Sequence, residues 1–139
     1  MKRFVLDASV ALSWFVDRPP AAYAEQVKQE LLHGAHAVVP TLWHAEVANG
    51  FVVAERRRVL TASDVNDCLA DLEMLSAHAI ETSSGQATMR QALTLARTFQ
   101  LSAYDALYLD TARAEKLELA TLDLALRAAA PRAGVDLLA

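Results

Sequence analysis

Four acidic residues stand where carboxylates from distant parts of the chain could act together. Asp7 directly follows a run of strand-forming residues, and Asp123 follows a second such run near the other end. Asp105 comes three residues after Ser102, a residue type that often caps helices, and Glu46 lies inside an apolar helical stretch. Ionised carboxylates in one cleft repel one another, and a hard divalent cation, Mg²⁺ or Mn²⁺, makes them compatible.

Such a cation indicates a particular kind of chemistry. It lowers the pKa of a bound water, orients that water for in-line attack at phosphorus and offsets charge on the leaving oxygen. Hydrolysis of phosphodiester bonds is therefore the reaction that these acids favour. No cluster of His and Cys ligands competes with this interpretation, because Cys68 is the only cysteine.

Strands that alternate with helices are predicted to position the acids. Residues 4–6 form the first predicted strand, and a helix follows Asp7. Because strands separated by helices pair through right-handed crossovers, we predict an α/β fold, a three-layer α/β/α sandwich with a mostly parallel sheet of about five strands. Ligands bind beyond the carboxyl ends of such strands, where Asp7 and Asp123 are expected. The other predicted elements are helices over 8–14, 21–33, 40–58, 61–78, 86–100, 102–116 and 123–130, and strands over 37–39, 79–81, 119–121 and, at an edge, 135–138.

Each acid also has a structural explanation when it is taken alone. Asp7 and Asp123 lie between a strand and a helix, where Asp is a common N-cap. Asp105 in a first helical turn interacts favourably with the helix dipole, and Glu46 could reach solvent beside a basic residue. All four explanations must hold together if there is no shared cleft. Asn49, one turn after Glu46, shares its helix face and favours a polar cavity there.

Length, composition and charge set further bounds. With 139 residues, 54% of them apolar, the chain is expected to form a single domain over residues 1–139. Apolar stretches are far shorter than the roughly 18 residues of a membrane helix, and Asp7 interrupts any signal-peptide core, so a cytoplasmic location is expected. The net charge of -4 argues against binding nucleic acid mainly through a basic surface. A nuclease stays possible, since bound metal reverses the field of an acidic cleft.

Each of the four acids lies in a short motif of its own. The motifs are Val5-Leu6-Asp7-Ala8-Ser9, Glu46-Val47-Ala48-Asn49, Ser102-Ala103-Tyr104-Asp105-Ala106-Leu107-Tyr108 and Thr121-Leu122-Asp123. In their order and spacing they resemble those of the PIN-domain ribonucleases, especially the VapC toxins of type II toxin-antitoxin pairs. The resemblance spans essentially the whole chain and includes the Gly-Val ending at 134–135. It implies a PIN-like fold and a divalent-metal-dependent endoribonuclease toxin that hydrolyses RNA through a metal-activated water.

The resemblance also implies a site and partners. It makes Mg²⁺ or Mn²⁺ the cofactor, and it implies a homodimer, an RNA substrate and a cognate antitoxin whose carboxy-terminal segment enters the active site. Supporting residues are able to orient carboxylates or bound water. The implied catalytic and metal-binding residues are Asp7, Glu46, Asp105 and Asp123, supported by Ser9, Asn49 and Thr121.

Other functions remain open at this point. The acids could belong to a non-enzymatic module that binds metal or a basic peptide. A phospho-receiver-like signalling module needs an adjacent acidic pair and a lysine after a late strand, but Lys116 precedes the last buried strand. A phosphatase with an aspartyl nucleophile usually carries a second Asp two positions on, where this chain has Ser9.

Basic and aromatic residues outside the motifs have ordinary explanations. The arginine run at 56–58 ends a predicted helix, where favourable interaction with the helix carbonyls is the main interpretation and contact with phosphates the minor one. Trp14, Trp43 and Tyr104 are predicted to be core or dimer-contact residues rather than platforms for stacked bases.

Overall fold

The computed structural model describes all 139 residues as seven helices and four strands. None of the helices combines the length and the apolar character that crossing a membrane requires. In chain order the elements are β1 (Arg3–Leu6), α1 (Ala8–Val16), α2 (Ala22–Leu32), β2 (His36–Val39), α3 (Leu42–Arg56), α4 (Ala62–Ala79), β3 (Ile80–Thr82), α5 (Met89–Phe99), α6 (Ala103–Glu115), β4 (Glu118–Ala120) and α7 (Leu124–Arg132).

The strands form one parallel sheet in the order β3-β2-β1-β4. In central β1, Val5 pairs with Val38 of β2 and with Leu119 of β4. Phe4, Val5 and Leu6 all have no exposed surface, although successive side chains in a strand point to opposite faces. Both faces of the sheet are therefore covered by helices, which confirms the predicted α/β sandwich.

The direction of the chain across the sheet reverses beside β1. From β1 the strands β2 and β3 are added on one side, and β4 then pairs on the other side of β1. The carboxyl ends of β1 and β4 consequently flank the point where the strand order reverses. Crossover helices leave these two strands toward different parts of the molecule, and a crevice opens between them.

The predicted count of about five strands is wrong by one, because the segment over 135–138 is not a strand. It forms a single parallel bridge between Leu137 and Leu119, with one hydrogen bond from Leu119 N–H to the Asp136 carbonyl and one from Leu138 N–H to the Leu119 carbonyl, both 2.9 Å.

Local capping sets several helix boundaries, not all of them as predicted. The predicted start of α4 is confirmed by a capping box of Thr61 and Asp64. The start of α5 at 86 is wrong, because Thr88 and Gln91 form another capping box and the helix begins at Met89. The predicted stop at 131–134 is confirmed, although α7 runs two residues past its predicted end at 130 and ends at Arg132. Pro131 lies in this last turn, where its missing N–H removes one helix hydrogen bond.

The large aromatic residues divide between core and surface. Trp14 is 7% exposed and donates its indole N–H to the Ala24 carbonyl at 2.7 Å, and Trp43 is 2% exposed. Both tryptophans are therefore core residues. Tyr104 is 60% exposed, so a role in the core is wrong for it, and a dimer contact stays a prediction.

Candidate active site

Asp7 lies at the carboxyl end of the central strand β1. Its backbone N–H donates to the Ala120 carbonyl at 2.9 Å and so extends the pairing of β1 with β4. The residue is 5% exposed and occupies the N-cap position of α1, yet its side chain makes no capping hydrogen bond. Helix capping therefore does not explain this buried carboxylate.

Two hydroxyl groups orient the Asp7 carboxylate. Ser9 Oγ and Thr121 Oγ1 donate to Oδ2 of Asp7 at 2.6 and 2.7 Å. Each hydroxyl also accepts a backbone N–H at 3.0 Å, Ser9 from Leu122 and Thr121 from Asp123. These accepted bonds direct the hydroxyl protons toward Asp7, so the chain after β4 holds the side chain that follows β1.

The other two aspartates begin helices. Asp123 is the N-cap of α7, and its Oδ2 accepts the Leu126 N–H at 2.9 Å, so the capping explanation holds for this residue in part. Asp105 lies in the first turn of α6, whose N-cap Ser102 accepts the Asp105 N–H at 3.1 Å. The two caps determine where each carboxylate enters the space beside Asp7.

A buried tyrosine holds Glu46. The hydroxyl of Tyr108 on α6 donates to Glu46 Oε1 on α3 at 2.5 Å. Burial, followed by the hydrogen bond to Glu46, raises the pKa of Tyr108 far above its usual value, so the hydroxyl stays protonated and keeps donating. Tyr108 was missed among the predicted site residues. Two signals in the sequence indicate it: it ends the third motif, and it lies one turn after Asp105 on the same helix face.

All four acids line one cavity of about 320 Å³ beyond the carboxyl ends of β1 and β4. Asn49 lines it as well, whereas Thr121 is fully buried behind Asp7 and acts on the cavity only through that residue. The structure thus brings every predicted site residue to one place. The complete lining is Asp7, Ala8, Ser9, Leu12, Glu46, Asn49, Gly50, Asp105 and Asp123.

Gly50 brings α1 and α3 close together at the floor of this cavity. A Cβ atom at position 50 would lie 2.4 Å from Cδ2 of Leu12 on α1, so any larger residue would displace the end of that leucine. The missing side chain therefore keeps Leu12 in place next to the acids. This close approach was not predicted.

Burial and mutual repulsion disfavour the ionised forms of three of the acids. Burial raises the pKa of Asp7, and the charge of Asp123 adds to this effect, while the bonds from Ser9 and Thr121 oppose it. Burial also raises the pKa of Glu46, followed by the charges of Asp7 and Asp105. For Asp105, burial and then the charges of Asp123 and Asp7 raise the pKa to about 6.

The donor set fits a hard divalent cation. All four carboxylates border the same cavity, and a cation among them would relieve the repulsion that, after burial, raises the pKa values of Asp7, Glu46 and Asp105. As the side chains stand, no three His, Cys, Asp or Glu groups are arranged to hold a metal ion directly. Mg²⁺ is compatible with this arrangement because it keeps several waters and usually takes only one or two protein carboxylates.

A parallel sheet with carboxylates gathered where its strand order reverses defines an α/β protein with an acidic cleft. More specifically, the chain belongs to the PIN domain family, whose model matches residues 4–131. PIN domains are generally nucleases, which supports a nuclease-type enzyme. No curated protein sequence is significantly similar to the chain.

Solved structures share this fold at low sequence identity. PAE2754 from Pyrobaculum aerophilum superimposes with a TM-score of 0.69 and 19% identity, over 91% of this chain and 84% of that one. FitAcB from Neisseria gonorrhoeae gives 0.67 and 20%, over 98% and 96%. A toxin-antitoxin complex from Klebsiella pneumoniae gives 0.61 and 20%, over 92% of each chain.

Proposed function

We propose that this protein is a divalent-metal-dependent endoribonuclease that acts as the toxin of a toxin-antitoxin pair. The observation that carries the proposal is the convergence of Asp7, Glu46, Asp105 and Asp123 on one cavity, with raised pKa values for three of them. Mg²⁺ or Mn²⁺ is the proposed cofactor, because both prefer oxygen ligands. The proposed catalytic unit is the single domain over residues 1–139.

The side chains around the cavity would orient its acids. Ser9 and Thr121 hold Asp7 in one rotamer, and Tyr108 holds Glu46. Asp7, Glu46, Asp105 and Asp123 would hold the cation, directly or through its bound waters, with Asn49 as a further polar neighbour. A divalent cation bound there supplies Lewis acidity and an activated water for attack at phosphorus. Leu12 on α1 lines the cavity beside Gly50 and closes it on that side.

The proposed partners follow from the family. The Klebsiella pneumoniae neighbour is a toxin-antitoxin complex, which supports a cognate antitoxin for this chain as well. We further propose a homodimer that acts on RNA in the cytoplasm. Light scattering tests the dimer.

Growth arrest on expression tests the toxin role. We expect the arrest to be relieved by co-expressing a small protein encoded next to this gene, and arrest without relief would contradict the pairing.

RNA cleavage in the presence and absence of metal tests the enzymatic proposal. We expect the purified protein to cut RNA with Mg²⁺ or Mn²⁺, to lose this activity in EDTA and to regain it when metal is returned. The reason is that the carboxylates alone supply no Lewis acid to activate water or to stabilise the leaving oxygen. Cleavage that persists in EDTA would contradict the metal-dependent mechanism. Tight Mn²⁺ binding without cleavage of any RNA would instead favour the non-enzymatic binding module.

Tyr108→Phe removes the hydroxyl that holds Glu46 while it keeps the buried ring. We expect a loss of Mn²⁺ affinity and of RNA cleavage of about 10-fold, the scale typical of outer-shell partners of metal ligands. The matched control is Tyr23→Phe, which removes a hydroxyl that donates to the Leu138 carbonyl at 2.8 Å, outside the cavity. Equal Mn²⁺ affinities of the two variants would show that Tyr108 does not position Glu46.

A further inference from the structure

We propose that the arginine turn, Arg56 to Arg58 at the end of α3, contacts phosphates of an RNA strand that extends from the acidic cleft. This inference rests on the proposed function and deepens it, because it identifies a surface that binds the flanking part of the substrate. The three residues form the only run of three basic residues in the sequence.

The side chains of the arginine turn are exposed and have no partners in the protein. The structure contains two salt bridges, Lys2 to Glu30 and Arg3 to Glu81, and no side-chain hydrogen bond involves residues 56–58. The end of α3 is completed by backbone groups, with the Arg57 N–H donating to the Val53 carbonyl at 2.9 Å. The guanidinium groups thus do not bond to the terminal helix carbonyls and stay available to a ligand.

Helix geometry places Arg57 of the arginine turn, the C-cap of α3, above the helix face that lines the cleft. Glu46 and Arg57 are 11 residues apart on or directly after α3, a separation of about three turns and about 16 Å, so they project from nearly the same face. Asn49 and Gly50, about one turn beyond Glu46, also line the cleft, so the cavity extends along this face as far as Gly50. A single strand spans such a distance in a few nucleotides.

Electrostatics explains why a separate cationic contact is useful here. The chain carries a net charge of -4, so its overall field repels RNA, and a cation in the cleft acts on the phosphates beside it. At physiological salt the screening length is about 8 Å, shorter than the distance to the arginine turn. Phosphates beyond the cleft therefore need their own counter-charges, and planar guanidinium groups pair well with phosphate oxygens.

Equilibrium binding of labelled single-stranded RNA tests this surface. The triple variant Arg56→Gln, Arg57→Gln, Arg58→Gln is compared with Arg90→Gln, Arg113→Gln, Lys116→Gln, which removes the same charge from exposed positions outside the cleft. Gln tolerates the left-handed backbone at position 58, since Gln100 adopts nearly the same conformation. Both sets are made on Asp105→Asn with Mn²⁺ present, so that the RNA stays intact.

We expect the arginine-turn variant to bind a long RNA about 10-fold more weakly at low salt, and to bind a di- or trinucleotide as the parent does. Loss of three phosphate contacts makes the negative slope of log affinity against log salt shallower by about 2 for a single strand. Equal losses in both triple variants, or an unchanged slope, would overturn the proposal. Metal-dependent cleavage of RNA is scored separately in the wild-type protein, which keeps Asp105. Its absence would refute the proposed function, whereas its presence with an unchanged slope refutes only this surface.

Discussion

Asp105→Asn is expected to abolish metal-dependent RNA cleavage and, in the absence of metal, to make the protein more stable at pH 7.5. The variant keeps the shape of the side chain but removes a charge that the cation needs. Because even outer-shell partners of metal ligands commonly contribute about 10- to 100-fold, loss of a direct ligand should exceed about 100-fold. The cleavage rate of purified variant protein that is folded and monodisperse measures this effect.

The gain in stability follows from the repulsion and burial of carboxylates in the cleft when no metal is added. The pKa of Asp105 is raised from 3.8 to about 6 by burial and by the charges of Asp123 and Asp7. Below pH 3.8 the folded and unfolded forms are both protonated, so this carboxyl has no effect on stability. Between pH 3.8 and 6 the unfolded form ionises first, and above pH 6 the full penalty is present. Urea unfolding in EDTA at pH 4 and pH 7.5 should show the gain only at the higher pH.

The matched control is Asp110→Asn on the same helix. Asp110 lines a different cavity, beside Pro40 and Thr41, and does not border the four acids. We expect it to retain cleavage. If Asp105→Asn keeps its cleavage activity, or if both variants lose it equally, Asp105 does not belong to the catalytic group.

Mn²⁺ is expected to stabilise the wild-type protein strongly at pH 7.5 and only weakly at pH 5. A ligand that binds only the folded state at 100 times its dissociation constant adds about 2.7 kcal/mol to the free energy of unfolding. Because the pKa of Asp105 is about 6, the metal must displace a proton at pH 5, and affinity falls by up to about tenfold per pH unit for each proton. The raised pKa values of Asp7 and Glu46 act in the same direction.

Thermal unfolding with and without Mn²⁺ across this pH range measures the effect. Asp7→Asn is the comparison, since it removes the most buried carboxylate of the cleft and should eliminate most of the Mn²⁺-induced shift. A shift of equal size at pH 5 and pH 7.5, or one that persists in Asp7→Asn, would place the metal elsewhere on the protein. Ca²⁺ at the same concentration is a further control. A thermal shift of equal size with Ca²⁺ would show that the site responds to divalent charge alone and does not select Mn²⁺.

Much of the local structure follows from short stretches of sequence. The caps at Thr61 and Ser102 are confirmed, because a cap is formed within one helical turn and needs no distant partner. Errors occurred where two local signals compete. At the start of α5, helical spacing from 86 conflicts with the capping pair at 88 and 91, and the capping pair prevails. The breaker signal at 131–134 does end α7, at Arg132, two residues later than predicted.

The candidate site was predicted residue by residue, but its connections were not. An acid directly after a buried strand can be predicted as a site residue, because the carboxyl ends of parallel strands lie at one edge of the sheet. Asp7 and Asp123 were predicted on this ground. Nothing in their local sequence shows that Asp123 caps a helix whereas Asp7 does not. That difference depends on the hydroxyl of Thr121, which reaches Asp7 only because β4 lies beside β1.

The sequence by itself determined the α/β alternation, the helix caps and the types of side chain that could do chemistry, since periodicity and capping act over a few residues. Only the tertiary structure decided the order of the strands, the bond from Tyr108 to Glu46 across 62 residues, and the approach of Leu12 to Gly50. These features depend on which surfaces pack together. Packing is a property of the whole folded chain, and no short segment encodes it.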